Sequence, residues 1–449
     1  MLTHVKKYIP VSIKIRLLTF KHKMIESPKN TKFYQMIQKR KLFNMMQHNH
    51  KRWLKNIKDK EKIKVVFLVM HKNAWKVDPV FKRMMNDPYF EPVVLVCPYS
   101  GYGDERVWQD IQDTCEYFKE KGYPTQSSYN QSEERWIKLE EINPDIVFFN
   151  NPHNITYKEY YEDAYLNYLS CYVPYAHDVS KYDGYNSQYN QQFHNAMWLI
   201  FVPHKDDLNI FKHYSQRKPN NNFLRKKSNN VIATGYPACE PLLENNHLTV
   251  WKKQNSYKYK IIWAPHHTIN DPLLPYSNFL RLADFFKEIS IKYNDKIQLA
   301  FKPHPILKEK LYRLEGWGVD KTDEYYQFWE TQENTQLENG EYIELFKHSD
   351  AMIHDSGSFL AEYQYTKKPV LFICSSSINN YLNPFGIKAL RSCQKAETTE
   401  EIEDFIISVI NQDAITDLEF FDKEIKHYFN MTTPSKEIIK TIKKFIKSD

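Results

Sequence analysis

Glycine is scarce in this chain, at 10 residues in 449. A dinucleotide-binding fingerprint needs three glycines at fixed spacing, and Gly101-Tyr102-Gly103 lacks the third, which excludes a dehydrogenase of that type. Cysteine is equally thin. Cys97, Cys115, Cys171, Cys239, Cys374 and Cys393 lie far apart with no CxxC pair, so no metal finger is expected and the thiols read as buried, in a reducing compartment. No apolar run reaches the roughly 18–20 residues that cross a bilayer. A signal-peptide core followed by a small-residue cleavage site is also missing.

Negative charge is absent from one end. Residues 1–64 hold 18 Lys and Arg against 3 Asp and Glu, whereas the remainder holds 44 against 52. The net charge of +7 is therefore a local feature and not that of a nucleic-acid binder. Tyr8, Ile9, Val11, Ile13, Ile15, Leu17, Leu18 and Phe20 stand among those lysines. Residues 1–60 suit an anionic membrane surface, at about 1 kcal/mol per Lys or Arg close to it. A basic helix packed on the protein, or a polyanion site, is the competing reading.

What is present is a 42% hydrophobic chain long enough for two domains. Continuous apolar runs at 65–69, 93–96, 145–149, 198–202 and 231–233 predict strands, with helices over 74–85 and 106–121 between them. The pattern restarts after a polar stretch at 243–259, with strands at 260–264, 297–301, 351–353 and 370–373 and helices near 277–293, 358–367 and 399–411. Strands alternating with helices predict parallel α/β units covered on both faces. The expected division is a basic extension over 1–63, a first unit over 64–242 and a second over 243–449.

The centre of the second unit is Tyr342–Cys374, read as strand, small-residue turn, helix and strand. Ser356-Gly357-Ser358 would stand at the helix N-terminus, where free N–H groups attract phosphate; an ordinary helix cap is the competing reading. Glu362 would lie one turn beyond Ser358, as a hydroxyl-binding carboxylate or as a surface partner of a lysine. Phe301-Lys302-Pro303-His304-Pro305 ends a strand, and its prolines fix where His304 points. His177 follows the strand-like Cys171–Tyr175, at the carboxyl edge where open α/β units bind ligands, and imidazole suits general-base work near neutral pH. An incidental polar histidine is the competing reading at both positions.

The sixteen residues His354–Pro369, HDSGSFLAEYQYTKKP, resemble without a gap the nucleotide-donor motif of the CDP-glycerol glycerophosphotransferases that build teichoic acids and some capsules. Asp355, Ser358, Glu362, Lys367, Lys368 and Pro369 fall on its positions. Gly357 replaces the first serine of a pair, and Ser356 stands where the family usually has an aromatic residue. Lys302, His304 and Pro305 match the family's basic-x-His-Pro signature. Ala264-Pro265, followed by His266 and His267, resembles its Ala-Pro segment, and Gly235-Tyr236-Pro237 resembles its Gly-x-Pro. His177 falls where the family has a proposed base, with Asp178 in place of the usual glycine.

The resemblance implies a GT-B-like fold, two Rossmann-like domains facing a cleft. It implies transfer of a polyol phosphate, glycerol phosphate foremost, from a CDP-activated donor to a hydroxyl of a polysaccharide or lipid-linked acceptor, releasing CMP. His177 and His304 would be catalytic. Lys302, His304, Asp355, Ser356, Gly357, Ser358, Glu362 and His266 would hold the donor. No cofactor is expected. No metal is expected either, because no acidic DxD pair stands at the site and the adjacent His266 and His267 should point apart. The expected place is the cytoplasm, peripheral on the inner face of the membrane. A nucleotide-sugar glycosyltransferase and a non-catalytic assembly factor remain alternatives.

Overall fold

The computed structural model describes residues 32–101, 104–181, 183–216, 230–245, 249–374 and 377–448. The apolar runs become two all-parallel sheets. The first contains β1 (Ile63–Val69), β2 (Phe90–Val96), β3 (Thr125–Ser127), β6 (Ile146–Phe149), β7 (Leu169–Tyr172), β8 (Leu199–Val202) and β9 (Val231–Ala233). A two-stranded ribbon, β4 (Tyr129–Asn130) with β5 (Arg135–Trp136), stands apart from it. The second sheet contains β10 (Tyr259–Ala264), β11 (Ile297–Phe301), β12 (Thr335–Leu337), β13 (Ala351–His354), β14 (Val370–Ile373) and β15 (Gln394–Ala396).

Strand order is β3-β2-β1-β6-β7-β8-β9 in the first sheet and β12-β11-β10-β13-β14-β15 in the second. In each, the chain steps outward for three strands and then returns beside its starting strand. That reversal opens a crevice between β1 and β6, and between β10 and β13, at the carboxyl ends of the strands. The GT-B-like architecture expected from the sequence is therefore the one observed. One apolar cluster runs without a break from Phe67 and Phe148 in the first sheet to Ile262, Met352 and Tyr363 in the second unit.

Several boundaries differ from expectation. The predicted helix over 74–85 begins only at Asp78, with Pro79 in its first turn where a missing N–H costs no helical bond, and Lys72–Ala74 form a separate tight turn before it. The predicted helix over 358–367 is four residues of α-helix, Phe359–Glu362, then a tighter turn, Tyr363–Thr366. The strand expected at Cys171–Tyr175 ends at Tyr172, two residues before Pro174. The last helix, Pro434–Lys447, lies within the stretch assigned to the second unit yet packs on the first. The Ser435 N–H and hydroxyl donate to Glu240, and Lys443 pairs with Asp87 at 2.6 Å.

Of the basic extension, residues 1–31 lie outside the described residues. Helix Lys32–Ile57 docks on the first unit through buried Phe43, Met46 and His50. Asn49 donates to the Leu166 carbonyl at 3.0 Å and the Trp53 indole to that of Asn167 at 2.6 Å. Arg40, Lys41, Lys51, Arg52 and Lys55 face solvent. No described helix is long and apolar enough to cross a membrane.

The loop after β7 joins the two units. Ser180 pairs with Leu382 as an isolated antiparallel bridge, and the Lys181 N–H donates to the Tyr381 carbonyl at 2.7 Å. Asn383 donates its N–H to the Val179 carbonyl at 2.9 Å and its amide to that of Asp178 at 2.8 Å. Helix Pro384–Arg391 then approaches so closely that a Cβ at Gly386 would stand 2.3 Å from the Val179 carbonyl oxygen. In an ordinary helix Gly→Ala stabilises by about 0.5–1 kcal/mol, but overpacking costs about 1–3 kcal/mol. Gly386→Ala is therefore expected to lower the urea midpoint, and an unchanged or raised midpoint would show that the loop does not press on this helix.

Candidate active site

Register brings the candidate residues together. β10 pairs with β13 so that Ala264 stands opposite His354, and with β11 so that Trp263 stands opposite Phe301. The segments that leave these strands, His266-His267, Asp355-Ser356 and Lys302–His304, therefore emerge side by side at the crevice of the second sheet. The Asp355 carboxylate ties two of the loops together. It accepts the His266 N–H at 2.6 Å, the Asn278 N–H, and the Asn278 amide at 3.2 Å. Burial pushes its pKa up to about 7 despite those donors. With its oxygens taken by protein N–H groups, Asp355 positions the β10 loop.

Ser356 is buried, and its N–H donates to Nδ1 of His354 at 3.2 Å. Gly357 faces the seam, where an added Cβ would meet the Tyr276 ring of its own unit at 3.7 Å and the Ser180 hydroxyl of the first unit at 3.8 Å. Ser358 begins the short helix, its carbonyl accepting the N–H of Glu362 at 3.0 Å. The two lysines that close the motif shape the fold. Lys367 adopts left-handed backbone at φ 58°, which stops the turn. The Lys368 ammonium donates to the Phe346, Lys347 and Ser349 carbonyls at the end of helix Ile343–Lys347, where the helix dipole favours a cation.

Glu362 is neither at the surface nor open to a ligand. It is 1% exposed and accepts the Tyr342 hydroxyl. Tyr342 in turn accepts a hydrogen bond from the Lys76 ammonium of the first unit at 3.2 Å, with that ammonium 4.4 Å from the ring centre. Lys302 is also buried, and its ammonium donates to the Glu338 and Gly340 carbonyls at 3.1 and 2.9 Å. Burial foremost, with the field of Lys76, lowers its pKa to about 8. Lys76 escaped the sequence reading because a lone lysine on a loop carries no motif; its partner Tyr342 lies 266 residues away.

His266, His267 and His304 meet beside these residues. Their ring centres lie 4.1–5.2 Å apart, and one nitrogen of each falls within 4.8 Å of the others. This corrects the expectation that His266 and His267 point apart. Strict alternation of side chains holds within a strand, and both residues lie past the end of β10, in a bend. All three imidazole pKa values are depressed, by burial foremost; that of His267 falls to about 4.

His177 stands apart from that cluster, in the seam between the units. It is 2% exposed, its Nε2 lies 3.3 Å from the Tyr365 hydroxyl, and its ring stacks on Phe385 at 5.1 Å. Its Nδ1 is buried with no partner. Asp178 sits in its turn without left-handed backbone. Its carboxylate accepts the Ser180 N–H at 3.2 Å and the Gln188 amide at 2.7 Å.

Burial holds the His177 pKa near 3, against an ordinary 6.5. A group that stays neutral when folded but takes a proton when unfolded stabilises the fold fully above about pH 6.5. That contribution is lost as pH falls toward 3. At pH 5 the loss is about 2 kcal/mol. Thermal unfolding followed from pH 8 to pH 5 should therefore show a smaller drop in Tm for His177→Gln than for the parent protein. Parallel curves would show that His177 is not sealed from solvent.

Comparison with known proteins places this geometry. None of the curated protein sequences matches the chain. Solved structures similar in fold include the following two. A Staphylococcus aureus MnaA structure with UDP matches with a TM-score of 0.50 and 15% identity, over 86% of this chain and 97% of that one. A Listeria monocytogenes protein described as a UDP-N-acetylglucosamine 2-epimerase matches with a TM-score of 0.52 and 16% identity, over 87% and 98%. At such identity they speak for the fold alone. The family described as CDP-glycerol:poly(glycerophosphate) glycerophosphotransferase matches residues 127–383, a span holding the His177 loop and the β10, β11 and β13 ends. The chain belongs to that family of transferases.

Proposed function

We propose that this protein transfers a polyol phosphate, glycerol phosphate foremost, from a CDP-activated donor to a hydroxyl of a cell-surface polysaccharide or teichoic-acid-like acceptor. The observation that carries this reading is the convergence of the loops after β10, β11 and β13 at one crevice, within the span matched by the family. The acceptor oxygen attacks the β-phosphorus of the donor, the bond from that phosphorus to the bridging oxygen breaks, and CMP leaves. His177 takes the hydroxyl proton. In the closed seam burial keeps the imidazole neutral, the form that accepts a proton, and its low pKa makes it a weak base.

Charge that builds on the donor diphosphate as CMP departs is met by Lys302 and His304, aided by backbone N–H groups around Ser356–Ser358 and by His266. Such transfer depends mainly on position and charge compensation. Asp355 and Glu362 act by positioning, the first on the His266 loop, the second on Tyr342 and through it Lys76. Basic residues within 1–60 hold the enzyme at an anionic, cytoplasmic membrane face.

The solved relatives in fold include a UDP-bound protein, which supports a second reading, sugar transfer from a nucleotide-sugar. The product separates the two. Purified protein is incubated with CDP-glycerol, CDP-ribitol and nucleotide-sugars, with and without anionic vesicles, and released nucleotide is identified. The proposal expects CMP, reduced about 100-fold or more in His177→Ala and in His304→Ala, and sedimentation with the vesicles. Release of a nucleoside diphosphate would replace it with sugar transfer, and undiminished product in both variants would remove the catalytic roles.

A further inference from the structure

Three imidazoles crowd together at the end of the second sheet with no bond among themselves. Among the described residues, the hydrogen bonds of His266, His267 and His304 run elsewhere. Nδ1 of His266 bonds the Thr268 hydroxyl at 2.8 Å, and Nδ1 of His304 accepts the Ile306 N–H at a long 3.3 Å. Nδ1 of His267 is buried with no partner at all. Each residue is half-buried, so the cluster is open to solvent on one side. A buried imidazole nitrogen without a partner, in a cluster this close, points to a common ligand.

We propose that His266, His267 and His304 form a binding site for a divalent transition ion of the Zn²⁺ class, with a fourth coordination position open to the crevice. Imidazole is a ligand for such ions and not for Mg²⁺ or Ca²⁺, which prefer oxygen. Around a tetrahedral Zn²⁺ with bonds of about 2.0–2.1 Å, ligand nitrogens stand roughly 3.3–3.4 Å apart. The present separations, all within 4.8 Å, close to that by small side-chain rotations. Three protein ligands with one open position is the arrangement of a reactive site, in contrast to the closed four-ligand structural kind.

The surroundings fit the ligating state. A metal needs neutral imidazole, the majority form of an ordinary histidine at pH 7. The nearby Lys310 ammonium repels a bound cation, but it is a single charge partly screened by water. The Thr268 hydroxyl orients the His266 ring and leaves its Nε2 free, as outer partners do at metal sites. The His266 backbone is held by Asp355, which fixes the loop against β13. His304 ligates through Nε2 by moving its proton to Nδ1 and releasing the long contact to Ile306.

The open position faces the end of β13. On the reading given above, that is where the donor diphosphate lies, and there a metal would take one of its oxygens. This last step rests on the proposed function; the metal site does not. It revises the expectation of a metal-free centre.

The test uses the full chain, treated with a chelator, dialysed and titrated with Co²⁺ while the visible ligand-field absorption is followed. The expected result is saturable binding of one Co²⁺ with the intense bands of four-coordinate cobalt, displaced by Zn²⁺. His267→Ala and His304→Ala should each weaken binding more than about 100-fold, beyond the 10–100-fold that loss of an outer partner costs. His427→Ala, at an exposed position away from the cluster, should bind as the parent does, and circular dichroism confirms that each variant is folded. Absence of saturable binding, or equal affinity in folded His267→Ala and His304→Ala, overturns the site. Added inorganic phosphate should shift the bands, and an unchanged spectrum overturns the open position. Cobalt binding in a protein that releases CMP from no donor would sink the proposed function and leave this site standing.

Discussion

The contact between the His177–Lys181 loop and the 381–386 segment is the constraint on which the arrangement depends. A β-bridge, backbone hydrogen bonds and a Gly386 helix with no room for a side chain lock one unit onto the other. His177 reaches Tyr365 because of it, and Gly357 comes to face Ser180. The seam continues as apolar core from one sheet to the other, and the Lys76–Tyr342–Glu362 chain crosses the same boundary. The candidate residues of the two units are therefore brought together by packing and only then tuned by charge.

The charged residues of the donor motif divide into two kinds. Asp355, Glu362 and Lys368 hold loops or cap a helix with their polar atoms bonded inside the protein, and Lys367 stops a turn through its left-handed backbone. The imidazoles and backbone amides at the strand ends are what the crevice presents to a ligand. A buried charge without partners is costly, so a motif rich in Asp, Glu and Lys at the centre of a domain has to spend most of them on structure.

Much of this was legible in the sequence. Apart from β7, which lies at Leu169–Tyr172 and not at 171–175, the strands built from continuous apolar runs stand within a few residues of where they are expected, because strands covered on both faces cannot hide polar residues. The edge strands β3, β12 and β15 were not, since TQS, TQL and QKA are short, polar and shaped by their neighbours. The motif located the crevice. It did not disclose that Glu362 is sealed beneath Tyr342, that Lys302 is bound by two carbonyls, or that three histidines meet. Those facts depend on contacts between residues far apart in the chain, which local pattern does not carry. Lys76 and the return of helix Pro434–Lys447 to the first unit were hidden for the same reason.

Amide hydrogen exchange of the full chain, with and without CDP-glycerol, addresses the central claim, that the donor binds at the ends of β10, β11 and β13 against the His177 loop. The account predicts slower exchange at the amides of 264–268, 302–306 and 354–359, together with a change in 177–181 as the seam responds. Protection confined to the crevice of the first sheet, between β1 and β6, would contradict it.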